Sequence, residues 1–106
     1  MKIGIIIETK VYEKSWNGMR FAVSAVKTGH EVKVFLLGDG VEIPFLKHDL
    51  FNVGGQVTEF NEVGGELLAC GTCMNTRHIK ESDIFSVSTM MECVYMTEWA
   101  DKLITF

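Results

Sequence analysis

The segment "LLACGTCMNT", residues 67–76, sets Cys70 and Cys73 three apart directly after an apolar run, in a chain with three cysteines in all. A cysteine works through its thiolate, and a pair at this spacing has four roles open to it. As a dithiol it can cycle to a disulfide. As metal ligands the two cysteines supply half of a structural zinc site; His78 and Cys93 are the other candidates, without the paired spacings of a finger or ribbon. As a nucleophile, one thiolate can take up a sulfane sulfur as a persulfide and hand it on. Finally, cysteines are small enough simply to pack at a buried junction.

The surroundings bear on these readings. A thiol at a helix N-terminus meets backbone N–H groups and the positive end of the helix dipole, which favour thiolate. Arg77 follows Cys73 by four residues and shares its helix face, where it can add a cation; the ordinary alternative is a solvated surface arginine. Gly71 allows a tight turn or a close backbone approach. In thioredoxin-like chains the cysteine pair follows an early strand and faces a later proline. Here the single proline, Pro44, lies upstream, which disfavours that version of redox chemistry.

The elements that must position the pair are read from hydropathy. "KIGIIIE" (2–8) is a continuous β-branched run, as expected of a strand buried on both faces of a parallel sheet. Residues 15–29 carry Trp16, Met19, Ala22, Val23 and Val26 at helical spacing, with Ser15 as the expected cap and Gly29 as the stop. "HEVKVFLL" (30–37) is a second strand, ended by the turn "GDG". From 41 to 63 the pattern predicts a loop around Pro44, then a glycine-weakened helix carrying Leu50, Val53, Val57 and Phe60. "ELLAC" (66–70) is a third strand and "TCMNTRHI" (72–79) a short helix, which puts the cysteines at a strand-to-helix junction. "DIFSVS" (83–88) is a fourth strand or extended segment; Ser88 and Thr89 cap a helix running to Trp99; "DKLITF" (101–106) is the last strand. Such alternation predicts one α/β domain over residues 1–106, a doubly wound, five-stranded, mostly parallel sheet flanked by helices. Ligands of such sheets bind beyond the carboxyl ends of the strands, where Cys70 falls.

Composition narrows the function classes. A chain of 106 residues is one domain, and a net charge of −4 with scattered Lys and Arg gives no footprint for nucleic acid. The N-terminal apolar run is too short for a signal peptide or a membrane span, so the expected location is the cytoplasm, with no membrane partner. "GDG" (38–40) lacks the third glycine of a dinucleotide fingerprint, and no cofactor or bound metal is expected. Cys93 recurs with Met90, Val94 and Thr97 at helical spacing and reads as a core or interface cysteine. Met90, Met91, Tyr95, Met96 and Trp99 make the last helix apolar on more than one face, as a subunit interface would. Glu8 and Thr9 read as an ordinary strand end, His78 as a histidine at a helix C-terminus, and His30 and His48 carry no pattern.

Three blocks, "GHEVKVFLLGDGV" (29–41), "ELLACGTCMNTRHI" (66–79) and "STMMECVYMTEWADKLITF" (88–106), resemble the DsrE/DsrF-like family, which includes sulfur-transfer proteins of the DsrE and TusD type. The resemblance implies a DsrE-like fold and an intracellular sulfur relay. In its sulfur-carrying members a cysteine ends the third strand and an arginine follows seven residues later, a spacing kept by Cys70 and Arg77. It further implies sulfur donor and acceptor proteins as partners and assembly as a homotrimer or hexamer. Cys73 is an addition to the simple carrier pattern, able to resolve a Cys70 persulfide as a disulfide or to be the working thiol itself. A thiol–disulfide redox protein, or a non-catalytic module whose cysteines pack or bind metal, are the alternatives.

Overall fold

The computed structural model describes all of residues 1–106. Five strands, β1 (Lys2–Ile7), β2 (Glu31–Leu36), β3 (Glu66–Cys70), β4 (Ser86–Ser88) and β5 (Lys102–Thr105), form one sheet in the order β4-β3-β2-β1-β5. Every pair is parallel, with Ile5 opposite Val34, Val34 opposite Leu67 and Cys70 opposite Ser88. Four helices connect them: α1 (Tyr12–Lys27), α2 (Val53–Glu62), α3 (Gly71–Thr76) and α4 (Met90–Trp99).

The alternation of side chains along β1 shows why the sheet is covered on both sides. Ile3, Ile5 and Ile7 point to one face, where Ile7 meets Gly18 of α1, and α2 packs on α1 beside it. Gly4 points to the other, where a Cβ would lie 3.2 Å from Ala100 and 3.4 Å from the Met96 methyl, so α4 can settle close on that glycine. The chain steps outward from β1 to β4 and then returns across the opposite face to β5, the doubly wound arrangement that right-handed crossovers dictate. Phe35, Phe60, Ile5, Ile7 and Met19 are fully buried between the layers, each worth about 1.5–3 kcal/mol of hydrophobic stabilisation.

Three local expectations are corrected. Ser15 does not cap α1: the helix begins at Tyr12, and the buried Ser15 hydroxyl donates back to the Val11 carbonyl at 2.9 Å, inside the first turn. Leu50 is not in α2 but stands exposed before it, since Asn52 caps the helix by accepting the Gly55 amide at 3.1 Å. Pro44 lies in a 3-10 helix, Gly38–Phe45, not in a loop. Gly54, which weakens α2 in isolation, has a reason: a Cβ there would sit 3.0 Å from the Pro44 carbonyl oxygen.

The cap of α4 follows expectation. Thr89 Oγ1 accepts the Glu92 amide at 3.3 Å, and the Ser88 hydroxyl donates to the Glu92 carboxylate. Thr89→Ala is expected to cost about 1 kcal/mol, read as a fall of roughly 4–8 °C in melting temperature; an unchanged melting curve would mean that the cap contributes nothing.

Candidate functional site

Cys70 is at once the last residue of β3 and the N-cap of α3. Its extended backbone (φ −62°, ψ 116°) ends the strand, and its Sγ accepts the Cys73 amide at 3.4 Å, the role a serine or aspartate oxygen usually fills. Gly71 follows because β4 passes close by: a Cβ there would lie 3.1 Å from Val87 and 3.4 Å from the Ser88 carbonyl oxygen. Cys70 is buried, Cys73 half-buried, and all three cysteines are free thiols.

The two thiols of the motif interact directly. Burial pushes the Cys73 thiol above its ordinary pKa, and a hydrogen bond with Cys70 pushes the same way; the Gly38 amide and the charge of Arg77 pull it down but do not prevail. The expected thiolate-favouring effect of the helix terminus is therefore not realised at Cys73, where desolvation outweighs it.

Cys93 adds a third thiol to this neighbourhood. Glu66, Leu68 and Cys70 alternate onto the face of β3 under α4, where Glu66 and Leu68 meet Tyr95, Met96 and Trp99. Cys93 is buried on the sheet-facing side of α4, as expected of a core cysteine. It lies near enough to Cys70 and Glu8 that their negative charges add to burial in raising its pKa.

Arg77 is the C-cap of α3 and reaches across to the 3-10 helix. Nε donates to Glu42 Oε2 at 3.1 Å, one terminal nitrogen to Asp39 Oδ1 at 2.9 Å, and the other to the Cys73 carbonyl oxygen at 3.1 Å. Lys10 approaches the same Glu42 carboxylate at 3.2 Å. The bonds to Asp39, then Glu42, raise the already high pKa of the guanidinium. Gly38, Asp39, Glu42 and Lys10 were absent from the sequence reading of the site. Their signal was the turn ending strand two: once β2 neighbours β3, "GDG" falls beside Cys70. His78 sits just past α3 with φ 54°, in the left-handed region where such exits end. No three His, Cys, Asp or Glu side chains stand together as ligands for a metal ion. The largest cleft, about 420 Å³, lies around Asn61, Ser82 and Asp83 near the start of β3, away from the thiols.

A doubly wound parallel sheet carrying two neighbouring thiols at the carboxyl end of its third strand defines an α/β protein with a strand-end cysteine site. The chain belongs to the DsrE/DsrF-like family, whose model matches residues 1–106. It is 29% identical over 114 aligned residues to uncharacterized protein MJ0989 of Methanocaldococcus jannaschii, covering all of both chains. It is 30% identical to uncharacterized protein MK0008 of Methanopyrus kandleri, covering 98% of this chain and 93% of that one. Among solved structures, the ychN protein of E. coli superimposes with a TM-score of 0.85 at 21% identity over the full length of both chains. BT1422 of Bacteroides thetaiotaomicron superimposes with a TM-score of 0.80 at 18% identity, covering 99% and 94% of the two chains. These two likenesses establish the fold. No helix is long and apolar enough to cross a membrane.

Proposed function

We propose that this protein is a sulfur-relay carrier of the cytoplasm, with Cys70 as the residue that holds the sulfur. The observation that carries the reading is the placement of Cys70: in a chain of this family, at the carboxyl end of β3, with its sulfur already accepting a backbone amide. The Cys70 thiolate attacks the outer sulfur of a donor persulfide, forming the Cys70–sulfur bond and releasing the donor as its thiolate. An acceptor thiolate then attacks the outer sulfur of the Cys70 persulfide, restoring Cys70. Donor and acceptor are other proteins, and neither step needs a cofactor. Arg77 supports the site by adding positive charge beside Cys73, whose thiol it pulls toward ionisation.

Cys73 touches Cys70, and this contact favours a second reading, a thiol–disulfide protein. In the carrier, the same contact offers an exit: attack of Cys73 on the Cys70 sulfur expels hydrosulfide and leaves a Cys70–Cys73 disulfide. The two readings separate in one experiment, native mass spectrometry of the peptide spanning 67–77 after incubation with a sulfane sulfur donor. The carrier gains the mass of one sulfur atom on a reduced pair. Cys73→Ser closes the disulfide exit: there the carrier still gains one sulfur atom, whereas a peptide that gains none, with the donor active, belongs to the redox protein.

We also infer that the chain assembles as a homotrimer or hexamer through α4. Met90, Met91, Val94 and Tyr95 are each half or more exposed on this one helix, and an apolar patch of that kind marks an interaction surface. Sedimentation of the purified protein at the mass of three or six chains is the expected result; the mass of one chain would remove this part of the reading.

A further inference from the structure

Cys73 lies beside a segment that Arg77 joins to α3 through two ion pairs. The 3-10 helix, Gly38–Phe45, leaves the end of β2 through a glycine in the left-handed region (φ 55°) and lies against α3. Gly40, Val41 and Ile43 anchor it in the core, while Asp39, at the surface of its first turn, is held by Arg77. The guanidinium spans three groups: the Asp39 carboxylate, the Glu42 carboxylate, and the carbonyl of Cys73 itself. Lys10, from the loop after β1, holds Glu42 from the other side at 3.2 Å. The segment so fixed presents the Gly38 amide to the Cys73 sulfur. Arg77 therefore holds carboxylates with two of its nitrogens while its third holds the backbone that carries Cys73.

We propose that Asp39 and Glu42 are positioning residues for the thiol site: acting through Arg77, they hold the first turn of the 3-10 helix over Cys73 and set how freely reagents and partner thiols reach the pair. The proposal rests on the reading that Cys70 and Cys73 form the working site. Its test reads thiol access directly, so it can fail while sulfur transfer stands, or hold while sulfur transfer fails. The ion pairs are about 29–50% exposed on the Arg77–Asp39 and Arg77–Glu42 sides, so salt will screen them. A closure of this type yields to ionic strength, whereas one made by apolar packing tightens or stays unchanged.

The experiment is alkylation of the full-length protein by iodoacetamide at fixed pH, with Cys70, Cys73 and Cys93 scored separately by peptide mass. Asp39→Ala with Glu42→Ala is expected to speed labelling of Cys73 about five- to tenfold, the scale on which partly exposed ion pairs act. Cys93 stays unlabelled and reports that the fold is intact. Asp39→Asn with Glu42→Gln, which keeps neutral acceptors in place, restores part of the protection. Salt at about 1 M, where charges are screened beyond about 3 Å, brings the wild type toward the alanine variant and leaves that variant unmoved. Labelling of Cys73 within about twofold of wild type in the alanine variant, with Cys93 still protected, overturns the proposal, as does a wild-type rate indifferent to salt. If Cys93 becomes reactive in the alanine variant, the salt series on the wild type alone decides.

Discussion

Cys70→Ser is expected to abolish uptake of sulfane sulfur, lowering the fraction of persulfidated protein on the order of 10²-fold or more, as loss of a covalent nucleophile does. Serine can still accept the Cys73 amide through its hydroxyl, so α3 keeps its cap and the variant should melt near the wild type. The loss then belongs to chemistry and not to folding. Cys73→Ser is expected to do the opposite of a nucleophile's loss: uptake persists and the persulfide lives longer, because the thiol that can displace hydrosulfide is gone. Acidity shapes the comparison. Burial and the contact with Cys70 keep Cys73 a thiol beyond the ordinary range, so displacement is slow at neutral pH and quickens as the pH rises toward ionisation. Persulfide lifetime in the wild type should therefore shorten with rising pH and in Cys73→Ser should not. If sulfur is found on Cys73, and Cys70→Ser takes it up normally, the assignment of Cys70 is wrong.

The second large effect is on stability. In Gly40→Ala the new methyl would lie 2.0 Å from the Ile7 carbonyl oxygen and 2.9 Å from its carbon. Backbone cannot swing aside as a side chain can, so the 3-10 helix must lift from the end of β1. That motion strains the Leu37 amide's bond to the Ile7 carbonyl, 3.0 Å, and pulls at Val41 and Ile43, both fully buried. The expected cost is about 2–4 kcal/mol, a fall of roughly 10–25 °C in melting temperature for a domain of this size. Gly29→Ala is the reference. Its φ of 95° is unfavourable for alanine, yet a Cβ there meets nothing within 4 Å, so it costs about 1–2 kcal/mol from backbone strain alone. Equal losses in the two variants would show that the close approach at Gly40 is not what the segment depends on.

The strands and helices were largely legible because their hydrophobic periods are clean: the isoleucines of β1, the apolar stripe of α1, and "ELLAC" followed at once by a glycine all translate directly into local structure. The cysteine pair was legible for the same reason, since a strand–glycine–helix junction fixes where it sits whatever the rest of the chain does. What hydropathy does not encode is side-chain partnership across elements. Asp39 and Glu42 are ordinary acidic residues in sequence, and only the adjacency of β2 and β3 brings them to Arg77. Ser15 misled because a serine ahead of an apolar stripe looks like a cap; in a helix that starts a turn earlier, its hydroxyl is satisfied by the carbonyl four residues back. Pro44 suggested a loop because proline breaks α-helices, whereas a 3-10 helix entered by two glycines accommodates it.

The strand order also bears on how the chain reaches this form. β1, made first, is flanked by β2 and by β5, so Ile3 must wait for Lys102 before its ladder is complete. A closure spanning nearly the whole chain carries a large loop entropy and slows the search for the native state. Until β5 arrives, one edge of β1 lies open, and α4 has yet to cross over Gly4 and shield Cys93. Cys93, carried on α4, is thus uncovered in the newly made chain, and it is the settling of α4 on the sheet that buries it.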